Sequence, residues 1–437
     1  MAPDRHTPPP VRLNERFSGY RCVVCGKPQS RDFADYVCPD CGVDGILDVE
    51  YDRTGLRADL KAIPSGLNFP ANPAGGMWMF APLLPVCPTA PHPAWTLGLT
   101  PLHAAPRLAS AMGVGGIWLK DDTGLPSASL KDRASAVAVA HAICTGREHL
   151  ACASTGNAAA SLAVMSARAG LPCHIFLPAA APQAKLAQLL IHQADVVRVN
   201  GTYDQAFDLS LEQISANNWY SRNCAHNPLL VEGKKTAALE IAGDLTAGFT
   251  REPDAWPEAV LVPVGDGCIV SSVAKAMVEL KWLGLIPAVP RIIGVQAAGA
   301  APLAAAWSRC TSHADMDGRA ILAAVAPVEP HTLADSISVG IPRNRVKAWK
   351  YVAATGGAFI AAEDSDITRA IRILGAKAGV FAEPSGAAAL AGVGPALRAG
   401  LIGPESVIAV MVTGHGLKDP AAALKGVSLP DPIPPLA

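Results

Sequence analysis

The sequence predicts an α/β protein with two open, mostly parallel sheets, a ligand cleft between them and a small cysteine-rich module in front. Three observations carry this. From Gly115 onward, short apolar runs bounded by Gly or Pro alternate with longer Ala-rich segments. That is the pattern of strands buried on both faces and covered by helices. The helical segments are too uneven for an eight-fold barrel, and no repeat is evident. Near the start, Cys22-Val-Val-Cys25 and Cys38-Pro-Asp-Cys41 stand twelve residues apart.

The chain has 437 residues, half of them hydrophobic and 17% charged, which is enough for two or three domains with large cores. A net charge of −1 leaves no electrostatic footprint for nucleic acid or an anionic membrane. No apolar stretch reaches the roughly 18 unbroken residues of a membrane span. Residues 1–16 have no apolar core, so they read as a disordered tail and not as a secretory signal. The expectation is a cytoplasmic, globular protein.

The elements follow in order. Residues 17–50 form a zinc-ribbon-like module, in which Cys22, Cys25, Cys38 and Cys41 can surround one structural Zn²⁺, with Gly26 and Gly42 freeing the turns. A redox Cys-X-X-Cys would open a helix in a βαβ unit, and none is visible. A set of ligands that no longer binds metal is the other alternative. A Pro- and Gly-rich connector follows. A large domain is expected from residues 51–140 and 228–437, and a smaller α/β domain from 141–227. Predicted strands are 117–120, 150–153, 174–177, 196–199, 259–264, 292–296, 359–361 and 407–412. Predicted helices are 134–143, 157–169, 182–192, 203–216, 235–246, 268–283, 364–378 and 385–399. In such folds ligands bind at the turns beyond the carboxyl ends of the strands.

Four turns carry chemistry. Pro126-Ser-Ala-Ser-Leu-Lys131-Asp-Arg133 leads into a helix, with Ser129 as its cap and Lys131 in the first turn. A cation there opposes the helix dipole unless the amine is used or paired. Ser154-Thr-Gly-Asn157 and Val264-Gly-Asp-Gly-Cys-Ile269 each follow a strand and open a helix, where backbone N–H groups can receive an anion. Asp266 argues against an anion unless its carboxylate points away. Thr413-Gly-His-Gly416 follows the last strong strand. Each turn alone has an ordinary reading, as a solvated lysine, a cap or a glycine loop. A reactive amine, an anion cradle and two polar clamps in one chain suit pyridoxal phosphate, held as a Schiff base.

Ala128-Ser-Leu-Lys131-Asp-Arg133, Ser154-Thr-Gly-Asn157, Gly265–Cys268, Glu383-Pro-Ser-Gly-Ala387 and Val412–Asp419 resemble the tryptophan-synthase-β type of pyridoxal phosphate enzymes (fold type II). Thr100-Pro-Leu102, Glu232-Gly-Lys-Lys-Thr236 and Thr413–Pro420 resemble the threonine synthase family most. The resemblance spans about 97–420, and it implies a lyase that makes threonine and phosphate from O-phosphohomoserine and water. It implies that Lys131 forms the Schiff base and moves the Cα proton, and that Asn157 bonds the cofactor's 3′-oxygen. The amides of Gly265, Asp266, Gly267, Cys268 and Ile269 would hold its phosphate, and Thr413 would face the ring nitrogen. Ser154, Thr155 and Gly156 would clamp the substrate carboxylate. Enzymes of this kind are generally homodimers, and a zinc ribbon occurs in some.

Where the family usually has Asn, Ser and Arg near the substrate phosphate, this chain has Cys224, Ala225 and Leu230, and Gln becomes Lys234. Lys234, Lys235, Arg133 and Arg343 are the candidate replacements. Glu383-Pro-Ser-Gly also resembles serine/threonine dehydratases, so β-elimination from a hydroxyamino acid, or β-replacement on an activated serine or threonine, is the alternative reading. A non-catalytic binder would have no use for Lys131.

Overall fold

Runs of aliphatic residues with no polar alternation become the two parallel sheets. The computed structural model describes residues 10–33, 35–61, 72, 74–181, 183–247, 255–425, 427–433 and 435. Ala259–Pro263 is buried at every residue and lies inside a six-stranded sheet. Its order is Ala358–Ala362, Arg291–Ala297, Ala259–Pro263, Val407–Val412, Gly116–Asp121 and Leu102–Ala104. The first five strands are parallel, and Leu102–Ala104 closes the edge antiparallel. A second, wholly parallel sheet runs Asp195–Val199, Cys173–Pro178, Leu150–Ala153, Tyr220–Ser221.

The helix Lys131–Cys144 is buried from Asp132 to Ala142 and packs on Asn157–Ala169 and Leu229–Leu245. Ala-rich faces allow this close approach. The expected boundary at 140/141 falls inside this helix.

Several expectations are corrected. Of the predicted tail, residues 1–9 lie outside the described residues, but Val11–Leu13 form a strand paired with Val86–Pro88. Val11 and Leu13 pack against the core, and the Asn14 amide donates to the carbonyls of Ala81, Pro82 and Leu84. The helix expected from residue 235 begins at Leu229, with Gly233 in its interior. The helix expected over 385–399 divides into Pro384–Ala391 and Val393–Arg398, because Pro395 has no N–H for the Ala391 carbonyl. In the connector, residues 62–71 and 73 lie outside the described residues. Its later part buries Met77, Trp78, Phe80 and Leu83 in a 3₁₀ segment, Gly76–Leu83.

Ahead of both sheets, Pro28–Ser30, Phe17–Cys22 and Leu47–Tyr51 form a small antiparallel sheet. The sulfurs of Cys22, Cys25, Cys38 and Cys41 lie within 4.8 Å of one another. No helix among the described residues is long and apolar enough to cross a membrane.

Candidate active site

In the six-stranded sheet the chain leaves Ala259–Pro263 for Arg291–Ala297 on one side, while Val407–Val412 lies on the other. Strand order reverses there, and the diverging turns leave a crevice. A cavity of about 660 Å³ lies on the Ala259–Pro263 side, between the turn that follows that strand and the turn that follows Leu150–Ala153. Leu150–Ala153 delivers Ser154, Thr155 and Gly156 to the cavity wall, followed by Asn157 at the start of the helix Asn157–Ala169. Ala259–Pro263 delivers Gly265, Asp266 and Gly267, followed by Cys268 and Ile269 at the start of Cys268–Leu283. Lys131 lines the same cavity.

Neither Gly156 nor Gly267 gives its helix a side-chain cap. The first-turn N–H groups of two long helices are therefore left for a ligand. Gly267 has φ +87, and a Cβ there would lie 2.9 Å from the Ala348 methyl, so glycine is required on both counts. The Asp266 carboxylate accepts the Arg343 N–H at 3.3 Å, and burial, with Cys224 nearby, pushes its pKa up. It is thus turned partly from an anion's path and biased toward its neutral form.

Thr413 does not line the cavity. It is buried at the end of Val407–Val412, and its carbonyl accepts the Leu130 N–H at 2.9 Å, fixing the residue before Lys131. Next to it, Gly414 bridges Ser129 and accepts the Glu383 N–H at 3.0 Å. Asn157 Nδ2 donates to Glu383 Oε1 at 2.7 Å. Burial pushes the Glu383 pKa up to about 7.

Besides Lys131, three cations, Arg222, Lys234 and Arg343, line the cavity. Burial, then the charge of Lys234, lower the Lys131 pKa, which favours the neutral amine. Among the described residues that amine has no hydrogen-bond or ion-pair partner. Arg222 is fully buried, donates from Nη1 to Cys224 Sγ at 3.2 Å, and leaves Nη2 unpaired. Lys234 is also fully buried, with its amine 3.6 Å from Cys224 Sγ.

Of the candidate replacements for the missing Arg, Lys234 and Arg343 line the cavity. Lys235 is committed to Glu232 and Glu279, at 2.6 and 2.8 Å. Arg133 is committed to Asp122 and Glu240, at 2.8 and 2.5 Å. Sequence reasoning missed Arg222 and the Asn157–Glu383 bond. Arg222 follows Tyr220–Ser221, a two-residue strand too short to register; recognising it would have put Arg222 at a strand end.

These features fit pyridoxal phosphate. Among the described residues the amine and one buried guanidinium nitrogen have no partner, and an uncapped, glycine-built helix start is free to receive a phosphate. The profile of the family described as "Pyridoxal-phosphate dependent enzyme" matches residues 96–414. Threonine synthase from Methanosarcina acetivorans is 33% identical over 407 residues, covering 92% of this chain and 93% of its own. The chain belongs to the threonine synthase family of pyridoxal-phosphate dependent enzymes.

Threonine synthase from Methanocaldococcus jannaschii is likewise 33% identical, over 94% of this chain and 95% of its own. That from Mycobacterium leprae is 35% identical over 77% and 86%. Among solved structures, processed threonine deaminase isoform 2 from Solanum lycopersicum aligns with TM-score 0.62 at 19% identity, over 96% of this chain and 98% of that one. A fungal L-serine ammonia-lyase from Rhizomucor miehei aligns with TM-score 0.59 at 18% identity, over 75% and 96%. These two share the fold, whereas the threonine synthases align over 77–94% of the chain at 33–35% identity. As a member of the family, the chain is a pyridoxal-phosphate dependent carbon–oxygen lyase.

Proposed function

We propose that this chain converts O-phosphohomoserine and water to threonine and phosphate. The observation that carries the reading is one cavity lined by an uncapped helix start, by Arg222, Lys234 and Arg343, and by a lysine with no partner among the described residues. The cofactor phosphate belongs on the amides of Gly265 to Ile269. The substrate phosphate belongs on Arg222, Lys234 and Arg343, which stand in for the family's usual Asn, Ser and Arg. A dianion needs charged, forked donors, and the free Nη2 of Arg222 is one.

Bound pyridoxal phosphate supplies an electron sink for charge developing at the substrate Cα. The chain's residues do the rest. Lys131 would hold the cofactor and would take the Cα proton, a task its lowered pKa favours. The amides of Ser154 to Gly156 orient the substrate carboxylate. Asn157, held by Glu383, would bond the cofactor's ring oxygen, and Thr413, which does not itself line the cavity, would face the ring nitrogen. A second proton would leave Cβ as phosphate departs from Cγ toward Arg222 and Lys234. A proton would then return to Cγ, the hydroxyl of a water would add at Cβ, and a proton would return to Cα.

The same reading assigns residues 51–140 and 228–437 to the cofactor domain and 141–227 to the smaller one. It assigns one structural Zn²⁺ to Cys22, Cys25, Cys38 and Cys41, and it describes a cytoplasmic homodimer.

The test supplies O-phosphohomoserine, O-phosphoserine, serine and threonine separately to the loaded enzyme, with Lys131→Ala as the blank. Threonine and phosphate from O-phosphohomoserine support the reading. A 2-oxo acid from serine or threonine, or a replacement product from O-phosphoserine, overturns it in favour of the alternative chemistry. Arg222→Ala should cost about 10- to 100-fold in kcat/KM for O-phosphohomoserine, the worth of a charged hydrogen bond, while the visible absorbance of the loaded enzyme stays.

A further inference from the structure

We propose that Cys224 is an oxidation site of the active-site cavity, and that a peroxide links it to Cys268 in a reversible disulfide. The placement carries the argument. Cys224 sits on the loop between Tyr220–Ser221 and Leu229–Leu245, and Cys268 is the first residue of the helix Cys268–Leu283. Both line the cavity, and Cys268 packs in one small buried cluster with Ala225, the residue after Cys224, and with Val231. Two buried cations converge on one sulfur, with Arg222 Nη1 at 3.2 Å and Lys234 Nζ at 3.6 Å.

A thiol between two cations is held as the thiolate, the form that attacks peroxides. The Cys268 hydrogen bond, and then the Lys234 and Arg222 charges, hold the Cys224 pKa well below its usual range against burial. The facing carboxyl, Asp266, is pushed toward neutrality. Cys268 is pushed the other way, by its bond to Cys224 and by burial, and keeps its proton. The pair is an attacking thiolate beside a resolving thiol. Cys152 also lines the cavity, but burial pushes its thiol up to about 12.

The chemistry balances with hydrogen peroxide as oxidant. The Cys224 thiolate bonds to one peroxide oxygen, the O–O bond breaks, and hydroxide leaves, giving a sulfenic acid. The Cys268 sulfur then attacks Cys224 sulfur, and its proton departs with the sulfenic oxygen as water. Two electrons pass from the two sulfurs to the peroxide. The disulfide ties the first turn of Cys268–Leu283 to the opposite wall and closes the N–H cradle. A dithiol reverses it.

The experiment treats the loaded full-length enzyme with hydrogen peroxide, alkylates, digests and maps every cysteine by mass spectrometry. The expected result is a peptide pair joined through Cys224 and Cys268, with activity lost and then restored by dithiothreitol. Cys268→Ala should leave Cys224 as a sulfenic acid that dimedone traps. A second readout needs no variant and no activity. Iodoacetamide at pH 6.5 should label Cys224 at least roughly tenfold faster than Cys310. Equal labelling of the two, or inactivation by peroxide with Cys224 still a free thiol, overturns the proposal. Neither readout depends on which substrate the enzyme takes.

Discussion

A carboxyl group buried beside an asparagine gives up its proton late. Glu383 sits near pH 7 in the folded protein through burial, against an ordinary value of 4.5. Between those values the unfolded chain ionises while the folded protein keeps the proton. The group's contribution to stability is therefore whole below about pH 4.5 and is lost as pH rises through about 7. Glu383→Gln keeps an acceptor for Asn157 Nδ2 but cannot titrate. In cofactor-free protein the variant should match the parent near pH 4.5. It should exceed it by up to about 3 kcal/mol at pH 8, taking 1.36 kcal/mol per pKa unit. Urea midpoints at both pH values check this, and a difference that does not vary with pH would show that Glu383 is ionised in the fold. The residues of this site were unequally legible. Lys131, Ser154–Asn157 and Gly265–Ile269 stand at strand-to-helix turns, where position alone points to ligands. Arg222 becomes conspicuous only when burial removes its other partners, and no local pattern encodes that. Lys234 and Lys235 are neighbours in sequence, yet about 100° of helical rotation sends one to the cavity and the other to Glu232 and Glu279.

At the scale of elements, the parallel strands were readable because continuous aliphatic runs between glycines and prolines have few other uses. What escaped were pieces whose identity depends on a partner. Val11–Leu13 is a strand only because Val86–Pro88 offers an edge. Gly233 looks like a helix breaker, yet it serves packing inside the helix Leu229–Leu245. A Cβ there would run into the Arg133 carbonyl and lie 2.9 Å from Ala134 Cα. Both obstacles are backbone, so neither can swing aside. Gly233→Ala should therefore push Leu229–Leu245 off Lys131–Cys144, outweighing alanine's intrinsic helix advantage of about 1 kcal/mol. Because Lys131 and Lys234 ride on these two helices, the expected result is a lower unfolding midpoint together with weakened cofactor absorbance. A variant more stable than the parent would mean that the helices can part freely at this point.

Over the whole molecule, the cysteine module is tied to the catalytic body by buried charge. Lys275 donates to Asp48 at 3.0 Å and to the Val49 carbonyl at 2.7 Å, and Lys347 donates to the Leu47 carbonyl at 2.6 Å. Despite burial, Lys275 and Lys347 hold the Asp48 pKa below its ordinary range. Tyr51 donates to Glu232 at 2.8 Å, two positions before Lys234 on the same helix. The module thus completes a network that also fixes one wall of the cavity. If the four thiolates hold Zn²⁺, removing it frees the small sheet to unfold and leaves Lys275, Lys347 and Glu232 short of partners. Breaking buried pairs in this way costs of order 3–5 kcal/mol. Cys38→Ser should lose the single equivalent of bound zinc, lower the unfolding midpoint accordingly, and raise KM for the substrate while cofactor absorbance persists. The order matters, because Lys234 depends on the network through Glu232 whereas Lys131 does not touch it. A zinc-free variant with unchanged KM would mean that the module is anchored independently of its metal.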